Sequence, residues 1–285
     1  MIVQSAKAIT ESEPVSINIV SVVIVLLTFF ILYRLFKLLQ LYYASTFNKP
    51  LYNHFYFRLY KLPSNYLEIL KKEHAYFEAL SPKHKRYFEH RMAVFIKENK
   101  FIGKQGLVIT AQMKVAVAAT VTMLTFGFKK FKLDLINTVI IYPETYYSTI
   151  NEVYHKGETN PQLKAIVFSW KDFLAGYKIG DDNLNLGIHE FGHAIHLNAS
   201  INDDVSSIIF NRGFKALMDY LQSHVEVRKK LIASRYFRSY AYTNHYEFFA
   251  VLLENFIETP EVFKAKFPMV YKYMKQMLNF KFASY

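Results

Sequence analysis

The chain is 285 residues long, carries a formal net charge of +12, and is 52% hydrophobic and 17% aromatic. That length allows one catalytic domain plus an appendage, and that composition excludes a disordered or low-complexity protein. Cysteine is absent, which excludes disulfides, Cys-ligated zinc and a Cys nucleophile.

Residues 1–14 read as a short tail, near neutral, with Lys7 set against Glu11 and Glu13. Val15 to Tyr33 then runs for 19 positions without a charged residue. A helix over them would be about 28 Å long, close to the roughly 30 Å hydrocarbon core of a bilayer. A cleavable signal would want a basic start and a small-x-small site after a shorter run; here Arg34 and Lys37 follow instead. Residues 15–40 are therefore expected to form a transmembrane anchor. A Tyr- and Phe-rich juxtamembrane segment should occupy 41–62, and one folded domain 63–285.

Charge sets the expected orientation. Residues 34–132 hold 18 Lys+Arg against 5 Asp+Glu, whereas residues 133–285 hold 16 of each. A basic flank on the C-terminal side of the anchor places the catalytic domain in the cytoplasm, in a single-pass protein of the cell membrane. The same charges favour anionic lipid as a partner. Nucleic acid is the competing reading of a basic half, and is not expected, because no nucleic-acid module signature accompanies the charge.

Beyond Pro63, apolar positions Leu67, Leu70, Tyr76 and Phe77 predict a helix over 65–79, and Ser81-Pro82 open a second to about Lys97. Leu107-Val108-Ile109 reads as a short strand, and Thr110 caps a buried helix to about Phe126. Thr138–Tyr142 and Ala165–Ser169 are predicted strands, with Gly157 and Asn160-Pro161 in the connection between them. Helices follow around 186–198, 204–222 and 244–258. Strands before helices indicate an α+β domain. The strand Ala165–Ser169 is the candidate for an exposed edge along which a peptide could pair, with a central, fully paired position as the alternative.

The chemistry concentrates in His189-Glu190-Phe191-Gly192-His193. On a helix, histidines four apart stack on one face and converge on one zinc ion, while Glu190 reaches a metal-bound water. Zinc lowers the pKa of that water to about 7, and the carboxylate moves its proton to the leaving amine. A third ligand is required. His196 lies about 4.5 Å further along the axis, which makes it a neighbour of the site. A carboxylate or His on a later helix is needed. After Thr243 and Asn244, which are good N-cap types, Glu247 and Glu254 stand seven apart on one face of an otherwise apolar helix. Burying two carboxylates there requires a partner, which a metal supplies.

These segments resemble the Mlc titration factor A family of zinc-dependent peptidases, and more distantly the protease domain of anthrax lethal factor. The resemblance runs from about Leu80 to the C-terminus. It includes Leu80-Ser81-Pro82, Phe101-Ile102-Gly103, Gly106–Thr110, Ile140–Pro143 and Phe168–Asp172, then Asn185–His193, and Tyr240–Thr243 through Glu247-Phe248-Phe249-Ala250. It implies a zincin-like fold with Zn2+ held by His189, His193 and Glu247. It also implies Glu190 as general base and acid, and Tyr240 as hydrogen-bond donor to the oxyanion. Glu254 is left as a residue that orients a ligand imidazole. The family usually has Asp where this chain has His196. Two functions are therefore expected in rivalry. One is a membrane-anchored zinc metallopeptidase acting on a peptide or protein. The other is a regulatory protein that retains the zinc site and sequesters a protein partner such as a transcriptional repressor.

Overall fold

A computed structural model describes residues 19–148 and 152–283. The tail 1–14, and the first residues of the expected anchor, 15–18, lie outside these. The chain divides into two compact units, up to Gln40 and from Leu41 onward.

The first unit is the N-terminal part of helix α1 (Ile19–Phe47). It is long and apolar enough to cross a membrane, and none of its most apolar window is buried in protein. The helix runs past the expected end of the anchor at 40 into the second unit. There Ala44 is buried against Val205 and Ile209, with Leu41 packed beside them.

The second unit holds the remaining described helices and a four-stranded sheet. Helix α2 (Ser64–Glu73) and helix α3 (Ala75–Ala79) replace the single helix expected over 65–79. His74 breaks it by turning extended and accepting the Phe77 N–H on its own side chain. Helix α4 (Pro82–Glu98) starts where Ser81 caps it, as the Ser-Pro pair requires. Strand β1 (Lys100–Gly103) follows, and the expected strand Leu107–Ile109 does not form. Gln105 and Gly106 both take positive φ, of 53° and 78°. They fold the chain back so that Leu107 N–H bonds the Lys104 carbonyl, and Leu107–Ile109 become the approach to a capped helix. That helix, α5 (Ala111–Leu124), is capped by Thr110, and every residue from Val115 to Leu124 is buried.

The sheet is built from β1, β2 (Thr138–Tyr142), β5 (Gly157–Asn160) and β6 (Ala165–Ser169), in the order β1-β2-β6-β5. The first three are parallel, and β5 runs antiparallel on the outside. A small hairpin of β3 (Tyr146–Ser148) and β4 (Val153–His155) precedes it. Two expectations are corrected here. Ala165–Ser169 is central, paired with β2 and β5 and buried at every position. The edges are β1 and β5, the latter in the stretch expected to be a connection.

Helix α6 (Trp170–Lys178) leads to α7 (Leu186–Ile201), and α8 (Val205–Ser223) and α9 (Val225–Ala233) follow. A 3₁₀ turn (Ser239–Tyr242) then enters α10 (His245–Glu258), and α11 (Pro260–Lys266) and α12 (Pro268–Met277) close the fold. The domain is thus α+β. Helices α7 and α10 pack closely because both are small at their crossing: a Cβ on Gly192 would lie 3.3 Å from Ala250 Cα. One continuous apolar core joins α5, α7, α10 and the inner face of the sheet.

Candidate metal centre

Two helix starts aim the ligands. Asn185 caps α7 by accepting the Ile188 N–H, which places His189 in the first turn. Asn244 caps α10 by accepting the Tyr246 and Glu247 N–H groups, which places Glu247 in the first turn there. Across the close α7–α10 contact, one ligand atom each from His189, His193 and Glu247 falls within a 4.8 Å group. His189 Nε2 lies 3.1 Å from His193 Nε2 and 3.1 Å from Glu247 Oε2, and His193 Nε2 lies 3.4 Å from Glu247 Oε1. Tetrahedral ligands on bonds of 2.0–2.1 Å stand about 3.3 Å apart, so the spacing fits a single divalent ion.

The second ring nitrogen of His189 fixes which face is free for a metal. Nδ1 lies 2.7 Å from Glu254 Oε1, and Glu254 has no exposed side-chain surface. A carboxylate only accepts, so Nδ1 carries a proton toward Glu254, and Nε2 is the nitrogen turned toward His193 and Glu247. Arg238 Nη2 donates to the same Glu254 oxygen and so also lies 3.1 Å from Nδ1. The other oxygen, Oε2, accepts the Asn185 backbone N–H at 3.0 Å. Glu254 is therefore fully occupied in holding His189, and Glu247 is the carboxylate of the pair left facing both imidazoles.

Electrostatics point the same way. Burial alone would lower the His189 pKa, but hydrogen bonding to Glu247 and Glu254 outweighs it and raises the value to about 9. Burial would raise Glu247, yet the two imidazoles hold it well below the usual carboxylate range. The three groups concentrate a demand for positive charge at their common point, which a metal cation satisfies.

Glu190 faces the other way, toward β5. The Thr159 hydroxyl donates to its carbonyl oxygen at 2.8 Å and lies 3.2 Å from Oε2. A Cβ on Gly157 would approach Glu190 Cγ at 2.8 Å, so only glycine leaves room for the carboxylate. Burial raises the pKa of Glu190, against the pull of His189 and His193. That is the direction that suits a group which must both take and return a proton. A cleft of about 540 Å³ opens over these groups, lined among others by Gly157, His189, Glu190, Arg238, Tyr240 and Glu254.

Tyr240 is half exposed in that cleft, its ring 6.2 Å from that of His189. Partial burial, then the Glu247 carboxylate, raises its pKa, so the hydroxyl keeps its proton. The neighbouring tyrosines are otherwise engaged: Tyr242 donates to the Leu231 carbonyl at 3.0 Å, and Tyr246 packs 4.6 Å from His196. His196 sits among Phe210, Phe214 and Phe249, with its pKa lowered to about 4 chiefly by burial. It is a neutral packing residue outside the ligand group. Sequence reasoning missed Gly157, Thr159 and Arg238. The first two lie on the unrecognised edge strand, and Arg238 carries no spacing signal toward Glu254.

Residues 53–279 match the family described as glucose-regulated metallo-peptidase M90. The chain is similar to Mlc titration factor A of Yersinia pestis, at 26% identity over 62% of this chain and 71% of that protein. The same figures hold for the Yersinia pseudotuberculosis protein of that name. An uncharacterized protein of Synechocystis sp. is 20% identical over 75% of this chain and 83% of its own length.

Proposed function

The chain belongs to the glucose-regulated metallo-peptidase M90 family, and from that premise we propose that it is a membrane-anchored zinc peptidase. His189, His193 and Glu247 would hold Zn2+. The observation that carries the reading is the buried Glu190 carboxylate, on the same helix as His189 and His193 and in the cleft it lines together with His189 and Tyr240. Zinc bound there would supply Lewis acidity to the hydrolysis. Glu190 accepts the proton of the attacking water and returns it to the leaving amine. Tyr240 donates its hydroxyl hydrogen to the developing oxyanion. Glu254, itself held by Arg238, keeps the His189 ring in the tautomer that binds metal. An extended peptide pairs along the free edge of β5, with Gly157 and Thr159 keeping the general base beside it.

Helix α1 is the anchor, and the acid-free stretch from Arg34 to Leu67 keeps the catalytic domain on the cytoplasmic side. The purified full chain should contain zinc and cleave a fluorogenic peptide library. Glu190→Gln should keep the zinc and lose about 10²–10⁴-fold in rate. Unchanged turnover at full zinc occupancy refutes the role of Glu190.

The name of the Yersinia relatives, Mlc titration factor A, favours a second reading, a regulatory protein that uses the same site region to bind a protein partner. Partner binding that survives Glu190→Gln, in a chain with no measurable hydrolysis, would select it.

A further inference from the structure

The segment after α1 alternates in a way the metal centre does not need. His54 packs inward against Tyr87 and Phe126, and Tyr56 is turned inward toward Arg91, whose Nε donates to its hydroxyl at 2.7 Å. Phe55 and Phe57, between and beyond them, point outward and are 65% and 97% exposed. The two rings meet edge-on at 5.1 Å. Bare phenylalanines held this way are costly in water, because each leaves most of its apolar surface exposed.

The presentation is built. Arg91 is 1% exposed and donates to four backbone carbonyls, those of Asn53, Thr125, Phe126 and Phe128. This guanidinium ties the aromatic segment to the end of α5. Contacts also run from the segment to the end of α1. Phe55 lies 6.1 Å from Tyr52, and Lys129 covers the Tyr52 ring at 4.8 Å. Lys129 N–H donates to Ser206, in the turn of α8 on which Ala44 rests. Leu41–Phe47 rises about 10 Å, comparable with the headgroup layer at one face of a bilayer. Lys49, Arg58 and Lys61 all fall in a stretch of sequence with no acid before Glu68, and Glu89 accepts the Leu62 N–H next to Lys61.

We propose that Phe55 and Phe57 enter the interfacial layer of an anionic membrane, flanked by Lys49, Arg58, Lys61 and Lys129, as a second attachment that fixes how the catalytic domain faces the bilayer. Aromatic side chains favour that layer, and each nearby Lys or Arg adds attraction to anionic headgroups. This inference rests on α1 being a membrane anchor, and the test separates the two.

The chain has no cysteine, so a single introduced one takes an environment-sensitive fluorophore at a unique site. The full chain is reconstituted into vesicles of phosphatidylcholine with phosphatidylglycerol, carrying Phe57→Cys, Phe30→Cys or Glu226→Cys. The label at 57 should be shielded from iodide and quenched by lipid-borne nitroxide near the headgroups. The label at 30 should be quenched by nitroxide deep in the chains, and the label at 226 should be open to iodide. Phe57 is almost fully exposed, so its replacement leaves the fold intact, which circular dichroism and zinc content check. A label at 57 as open to iodide as that at 226, with the label at 30 still in the bilayer, overturns the proposal alone. A label at 57 shielded only when a second protein is added overturns it in favour of a protein-docking site. Labels at both 30 and 57 open to iodide overturn the anchor as well.

Discussion

Gly157→Ala tests whether the edge strand and Glu190 work as one device. The new Cβ would stand 2.8 Å from Glu190 Cγ, 2.9 Å from Glu190 Oε1 and 2.8 Å from Leu186 Cδ1. Carbon pairs rest at about 3.5 Å or more, so the glutamate must retreat by roughly 0.6–0.7 Å. Leu186 can swing a terminal methyl aside, but Glu190 is tethered through Thr159, whose hydroxyl lies 3.2 Å from Oε2. The carboxylate is therefore displaced without being removed. A misplacement of about 1 Å at a reacting group costs on the order of 10²-fold, so a loss of about 10–10²-fold in kcat is expected. Overpacking of this kind costs about 1–3 kcal/mol of stability, and the three atoms nearest the new Cβ belong to Glu190 and Leu186, not to a candidate ligand. The assay is turnover of a fluorogenic peptide at saturating substrate, with zinc measured on the same sample and a thermal melt as control. Full kcat at full zinc occupancy would refute the reasoning. So would loss of zinc in step with activity, since the strand would then act on the ligands and not on the base.

Other perturbations separate the remaining roles. Glu247→Ala should abolish tight zinc binding, whereas Glu254→Ala should weaken it by about 10–100-fold; competition with a chromogenic chelator ranks them, and the reverse order would sink the assignment. Tyr240→Phe should keep zinc and fold but lower kcat, while Tyr242→Phe, whose hydroxyl is spent on the Leu231 carbonyl, should leave kcat unchanged; steady-state kinetics of the two variants decide it. His74 is buried and its pKa is lowered by that burial to about 4. The unfolded chain therefore binds the proton more readily, and stability present above about pH 6.5 is lost as pH falls toward 4. By pH 5 this one group costs about 2 kcal/mol. Urea midpoints at pH 7 and 5 measure it, and His74→Asn, which can still cap α3 but does not titrate, should flatten that part of the slope.

What the sequence revealed depended on how local the signal was. His189, Glu190 and His193 share one helical turn, and the seven-residue spacing of Glu247 and Glu254 put both carboxylates on one face. Geometry then divided their places, because Glu254 is consumed by His189, Arg238 and the Asn185 N–H. The buried helix after Thr110 was legible because an apolar run too short to span a membrane must lie inside a domain. Strand β5 was not, since Gly157 and Asn160 are poor strand formers and the strand exists only by pairing with β6. The order of strands is likewise a non-local fact, so Ala165–Ser169 could be recognised as a strand without revealing that it lies in the middle. His74 stopped a helix that periodicity alone would continue, through one side-chain hydrogen bond. Arg238 finds Glu254 across a turn between two helices, and no periodic pattern encodes that meeting.

On the proposed ligand set, the closeness of α7 and α10 at Gly192 and Ala250 would make a caliper for the ion. Two of the ligand atoms ride on one helix and the third on the other, so the width of the coordination polygon is the gap between two backbones. Side-chain torsions adjust it little, because Glu254 pins His189 and the cap at Asn244 pins the start of α10. A bulkier residue at 192 would press on Ala250 and carry Glu247 away from the two imidazoles. Discrimination would then drift from zinc, at about 2.0–2.1 Å to nitrogen, toward cations of larger ionic radius. Competition between zinc and manganese for the same chain would thus report an interhelical distance, with no shift on Gly192→Val refuting the link.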